Sequence, residues 1–173
     1  GQGLLGGTLA GVEQDAAGNR VFSLPGDCGT LSAILIGSHV DTVPEGGNYD
    51  GLAGVVAGLL VLIEARQSGR IFRAPVRCIA MRAEESAWFG ACYIASRALT
   101  GQLGTAELEA PHRGDGQPLR AHMRAIGINT GPIEAGQPLT DLSRIREYLE
   151  LHIEQGPLLA ERAGLLGTAS EEY

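Results

Sequence analysis

Ala33-Ile34-Leu35-Ile36-Gly37-Ser38-His39-Val40-Asp41-Thr42-Val43-Pro44-Glu45-Gly46-Gly47-Asn48-Tyr49-Asp50-Gly51 is the stretch on which the fold turns. Its first four residues are an unbroken apolar run of strand length, which reads as a buried strand. From Leu52 to Gln67 the chain is apolar almost all round, as expected of a helix packed beneath a sheet. Between strand and helix lie an imidazole and two carboxylates, His39, Asp41 and Asp50, on a loop too rich in Gly and Pro to be core. In open α/β sheets, chemistry collects where strands end and loops begin.

Outward from this stretch the pattern continues. Gly51, Gly54 and Gly58 recur at three- and four-residue spacing and share one helical face. Each weakens the helix by about 1 kcal/mol relative to Ala, so close approach of helix to sheet is the expected compensation. Asp50 or Asn48 suits the helix start and Gly69 its stop. Pro75 to Met81 alternates as a strand, which makes strand, helix and strand a right-handed βαβ unit. Upstream, Val12–Gln14 and Arg20–Ser23 read as strands around a turn at Asp15–Asn19. Downstream, a second helix is expected from a cap at Ser86 to near Gly101, a short one over Leu119–Ile126, and helical character around Leu142–Arg146. Tyr148 to Ile153 alternates as a strand, with Tyr148, Glu150 and His152 on one face, and a last helix is expected over Leu158–Ala163. The class is α/β.

Composition narrows the function. At 173 residues the chain suits one domain with a real core. A net charge of −7 and no Lys/Arg cluster argue against nucleic acid as a partner. No apolar run reaches the roughly 18 residues of a spanning helix, and no basic region precedes an apolar stretch at the start, so neither membrane nor signal peptide is expected. Cys28, Cys78 and Cys92 are odd in number and lack C-x-x-C spacing, as in a reduced, cytoplasmic protein.

Taken singly, the polar candidates have bland readings. His39 beside Asp41 is more often a structural pair, Asp50 an N-cap, and Glu84-Glu85 a solvated first helical turn. Together they deliver His or carboxylate from three strand ends, once His152 is added, and that is how a metal site is built on a rigid sheet. Mixed N and O ligands without thiolate suit Zn²⁺, Mn²⁺ or Co²⁺. His112 and His122 lie in polar, loop-like context and read as surface residues.

Four motifs then carry a resemblance: Gly37-Ser38-His39-Val40-Asp41-Thr42-Val43, Gly46-Gly47-Asn48-Tyr49-Asp50-Gly51, Glu84-Glu85-Ser86, and Glu150-Leu151-His152-Ile153-Glu154-Gln155-Gly156-Pro157. Together they resemble the hydantoinase/carbamoylase family of metal-dependent amidohydrolases, which includes N-carbamoyl-L-amino-acid hydrolases and allantoate amidohydrolases. That family sits within a wider group of two-metal exopeptidases and deacylases. His152-Ile153-Glu154-Gln155-Gly156-Pro157 is the specific motif, separating the carbamoylase branch from ordinary peptidases. Departures fall at Ala87-Trp88, where members have a small residue and Arg, and at Ala95-Ser96-Arg97, where they often have Gly-Ser-Arg.

The resemblance implies a three-layer mixed sheet flanked by helices, of the zinc-exopeptidase type. It implies His39, Asp50 and His152 as ligands of one divalent ion, with Asp50 bridging to a second ion that Glu85 also binds. Glu84 is implied as general base, Asp41 as the group orienting His39, and Gln155 as a substrate contact. The implied reaction is hydrolysis of a linear C–N amide, a carbamoyl or ureido group on an amino-acid-like small molecule. A deacylase, a dipeptidase and a non-catalytic metal-binding fragment are the alternatives. Members are longer, homodimeric, and carry a lid domain and a return segment with a further His ligand. Residues 1–173 are accordingly expected to be a partial catalytic domain whose second metal site is incomplete.

Overall fold

The computed structural model describes residues 11–27 and 29–157. Cys28, the first ten residues and the expected Leu158–Ala163 helix lie outside them. The strands are β1 (Gly11–Gln14), β2 (Arg20–Ser23), β3 (Ala33–His39), β4 (Val76–Met81) and β5 (Ile145–Leu149). They form one sheet in the order β1-β2-β4-β3-β5. The β1–β2 and β2–β4 pairs are antiparallel, while β3 pairs in parallel with both β4 and β5.

Helix α1 (Leu52–Ser68) joins β3 to β4 and packs on both. Its buried residues, Gly54, Val55, Gly58, Leu62 and Ala65, follow the helical repeat and meet Val76, Cys78 and Ala80 of β4 and Ile34 and Ile36 of β3. On the opposite face Leu35, Ile79 and Met81 meet α2 (Ile94–Thr100) and α4 (Leu119–Ala125), together with Leu108 of α3 (Thr105–Leu108) and Ile133 of α5 (Gly131–Glu134). Successive side chains of one strand thus enter two cores, which is why Ala33–Ile36 of β3 reads as a continuous apolar run. The result is the expected three-layer α/β arrangement with a mixed sheet.

The glycine face of α1 does what its spacing predicts. A Cβ on Gly54 would stand 2.3 Å from the Leu151 carbonyl oxygen and 2.7 Å from Ser38 Cβ, and one on Gly58 would stand 2.9 Å from Cys78 Sγ. Gly69 closes the helix in the left-handed region at φ 68°. The helix start differs from expectation, because Gly51 is the cap residue and no side chain caps it.

Two further elements differ. Residues 86–92 are turn and irregular chain rather than helix, and α2 begins only at Ile94, after Tyr93 at φ 57°. Tyr93 and Ile94 donate their N–H groups to the carbonyls of Glu84 and Ala83, so the chain loops back to the strand end before the helix can start. Around Leu142–Arg144 the helix is a single 3₁₀ turn capped by Asp141. Strand β5 then starts and ends earlier than the alternation suggests, because its ladder with β3 stops at Ile36–Leu149. Beyond it the Glu150 carboxylate accepts hydrogen bonds from Ser38 and Tyr148, and His152 follows the strand rather than lying within it.

Candidate metal centre

His39 ends β3, between β4 and β5, 4 % exposed, and Asp50 is brought over it by the loop that enters α1, 3 % exposed. Gly51 makes that approach possible. Its φ is 53°, and a Cβ there would stand 2.4 Å from His39 Nδ1. His152 arrives from the segment after β5, at the helix end where Gly54 leaves room for Leu151.

The protonation of the two rings follows from their backbone partners. His39 Nδ1 is 2.7 Å from the Asp41 carbonyl oxygen, and His152 Nδ1 is 2.8 Å from the Ile153 carbonyl oxygen. A carbonyl only accepts, so each Nδ1 carries its hydrogen and donates it. In the neutral rings both Nε2 atoms are therefore bare lone pairs. They face each other at 3.0 Å, and Asp50 Oδ1 stands 3.7 Å from the first and 3.4 Å from the second. Three electron pairs converge with no hydrogen among them. A shared proton relieves one of these contacts, whereas a divalent ion satisfies all three. The residues fit a metal on this ground, and the carbonyl bonds fix tautomer and ring orientation in the manner of ligating histidines.

Asp50 is held on both oxygens, Oδ2 by Thr42 Oγ1 at 2.9 Å and Oδ1 by Gln155 Nε2 at 3.1 Å. Burial pushes its carboxyl up, but these hydrogen bonds and the neighbouring His39 outweigh burial and leave it below the usual carboxylate range. Gln155 Nε2 also donates to Glu85 Oε1 at 3.0 Å, and that oxygen lies 3.7 Å from His39 Nε2. One amide nitrogen thus stands between two carboxylates.

The adjacent acids Glu84 and Glu85 meet different surroundings. Glu85 faces the imidazoles, whereas Glu84 is 5 % exposed and receives Ser96 N–H at 2.9 Å and Ser96 O–H at 2.6 Å. Burial raises the Glu84 carboxyl above its ordinary value; the Ser96 bonds oppose this and the charge of Asp41 adds to it. Asp41 orients His39 through its main-chain carbonyl. Its carboxylate instead accepts the N–H groups of Glu84 at 3.2 Å and Glu85 at 2.9 Å, which pins both acids to the strand end.

Seven candidates from the sequence therefore lie in one place. Ser96 and Thr42, which hold Glu84 and Asp50, escaped sequence reasoning because a lone hydroxyl carries no periodic or spacing signal. Cys78 is buried against α1 and its thiol is pushed up to about 12 by burial, which suits a packing role. His112 and His122, read as surface residues, are half-buried and share Asp115. No helix among the described residues is long and apolar enough to cross a membrane.

A mixed three-layer sheet with imidazoles and carboxylates at its central strand ends defines a domain of the metallohydrolase type. Residues 35–166 match peptidase family M20/M25/M40, and the chain belongs to that family. It is 35% identical over 159 residues to an N-carbamoyl-L-amino-acid amidohydrolase of Paenarthrobacter aurescens, covering 92% of this chain and 38% of that protein. It is 32% identical over 145 residues to an allantoate amidohydrolase of Bacillus subtilis strain 168, covering 84% and 34% respectively. The crystal structure of a hydantoinase/carbamoylase family amidase from Burkholderia ambifaria superposes with a TM-score of 0.69 at 33% identity, over 88% of this chain and 36% of that one. The resemblance carried by the four motifs is thus to the right branch. The chain spans little more than a third of the length of these relatives.

Proposed function

We propose that this chain supplies the catalytic centre of a metal-dependent amidohydrolase that cleaves the C–N bond of a carbamoyl or ureido group on an amino-acid-like small molecule. The observation that carries the reading is the convergence of two Nε2 lone pairs and Asp50 Oδ1. The substrate class is supported by the names of the relatives, an N-carbamoyl-L-amino-acid amidohydrolase and an allantoate amidohydrolase.

In this reading His39, Asp50 and His152 hold one divalent ion. Asp50 and Glu85, whose oxygens the Gln155 amide links, would hold a second. Bound there, such ions polarise a carbonyl and lower the pKa of water. Glu84 accepts the proton from water and returns it to the departing nitrogen. Support for that role is its raised pKa, which moves a carboxylate toward the range of an effective base. Ser96 fixes the Glu84 rotamer, and each carboxylate oxygen keeps a free lone pair for the transfer. Gln155, whose amide lies between the Asp50 and Glu85 carboxylates, would contact the substrate.

The test is metal content after dialysis, together with hydrolysis of N-carbamoyl amino acids by the longest form of the protein. His39→Ala and His152→Ala should each lose the first ion. Glu84→Gln should keep it and lose about 10²–10⁴ in kcat. Equal metal content in wild type and both histidine variants would refute the centre, and normal turnover in Glu84→Gln would refute the base.

A further inference from the structure

A second set of imidazoles and a carboxylate converges away from that centre. His112 and Asp115 lie on the loop closed by a bridge between Pro111 and Pro118, and His122 lies on α4. Asp115 Oδ1 is 3.0 Å from His112 Nδ1 and 3.2 Å from His122 Nε2. One ligand atom from each of the three lies within 4.8 Å of the other two. Atoms bound to a single zinc ion at ~2.0–2.1 Å and tetrahedral angles stand about 3.3 Å apart. The groups are therefore close to ligating distance before any ion draws them in.

Their surroundings hold them there. Trp88 stacks on His112 with centroids 5.3 Å apart, and Phe89 packs against His112 at 5.2 Å and His122 at 5.3 Å. The Gln117 N–H fixes Asp115 Oδ1 at 3.0 Å. As neutral rings, His112 and His122 can each donate an N–H to Asp115 Oδ1, so all three groups converge on one oxygen. Without those hydrogens the same atoms present two imidazole lone pairs and a carboxylate oxygen to one point, the donor set of a divalent-cation site. The cluster also opens onto a cavity of about 450 Å³ that Asp41 and Glu85 line at another point, so a fourth coordination position has access to solvent.

We propose that His112, Asp115 and His122 form a further divalent-cation site, distinct from the His39 centre. Its ligands suit Zn²⁺, Co²⁺ or Ni²⁺, the ions that two imidazoles and one carboxylate favour over Mg²⁺ or Ca²⁺.

Trp88 is the sole tryptophan of the chain, and it stacks on one of the ligands. Its fluorescence reports this site directly, without any need for activity. Titration of the protein with Co²⁺ should quench Trp88 saturably, and the same quench should persist in His39→Ala. His112→Gln and His122→Gln should each weaken it by at least ~10-fold, and equilibrium dialysis should show the loss of one metal equivalent. Asp115→Asn keeps an acceptor for the Gln117 N–H and decides the matter if a histidine variant fails to fold, as judged by circular dichroism. It should weaken Co²⁺ binding by a similar factor. Absence of saturable quenching in the wild type, or quenching equal in wild type and all three variants, would show an ion-paired aromatic cluster only.

Discussion

Two imidazoles and an aspartate meet twice in this molecule, on opposite kinds of support. His39 and Asp50 are buried at the end of β3, an interior strand, and backbone carbonyls set the tautomers of His39 and His152. His112, Asp115 and His122 sit half-buried or exposed between a loop and a short helix, held by Trp88 and Phe89. The first set is fixed by the sheet and by α1, so it can be loosened only by disturbing the core. The second is fixed by aromatic side chains and can be loosened alone. Function that needs groups held to a fraction of an ångström belongs on the first kind of support.

The sharpest way to break the contrast is Gly54→Ala. The added Cβ meets the Leu151 carbonyl at 2.3 Å and Ser38 Cβ at 2.7 Å, so α1 and the segment carrying His152 must separate. Stability should fall by about 1–3 kcal/mol in urea titration. Zn²⁺ affinity at the His39 centre should fall with it, while Co²⁺ quenching of Trp88 stays. If the first affinity holds, His152 is not positioned through α1.

A smaller and more local effect is expected from Thr42→Val, which removes the hydroxyl donor to Asp50 Oδ2 and keeps the shape. Affinity of the first centre should drop about 10- to 100-fold, read by chelator competition, with unfolding nearly unchanged. An unchanged affinity would mean that Gln155 alone suffices to orient Asp50.

The smallest effect should follow Trp88→Leu, which deletes the ring stacked on His112. Loss of such a contact is worth about 0.5–1.5 kcal/mol, and it should appear only in cation affinity at the second cluster. The readout is equilibrium dialysis in a His39→Ala background. A fall in Zn²⁺ affinity at the His39 centre when Trp88→Leu is made in the otherwise unaltered chain would show that the two clusters communicate through the cavity they share.

Much of the first region was legible in advance. The apolar runs, the glycine spacing and the position of His39, Asp50 and Glu84-Glu85 follow from local pattern, because strand burial and helix–sheet contact impose periods of two and of three to four on the chain. Gly54 and Gly58 announced a close contact that the structure places against Leu151, Ser38 and Cys78. The motif at His152 to Pro157 pointed to the hydantoinase/carbamoylase branch, to which the chain's relatives belong. The sequence by itself thus determined the α/β class, the order of β3, α1 and β4, and the residue types of the centre.

Only the tertiary structure decided which way those residues act. Asp50 looks like a helix cap in sequence, yet Thr42 and Gln155 turn it to the imidazoles instead. The Glu84-Glu85 pair looks symmetrical, yet Ser96 draws one inward and leaves the other facing His39. The expected helix through residues 86–92 gives way because the N–H groups of Tyr93 and Ile94 find the strand-end carbonyls of Glu84 and Ala83. His112 and His122 stand ten positions apart, on a loop and a helix, with no common period, so nothing local marks them as neighbours. Local pattern records which face of an element is buried. Which polar groups meet depends on hydrogen bonds between segments far apart in the chain, and those are settled only when the layers pack.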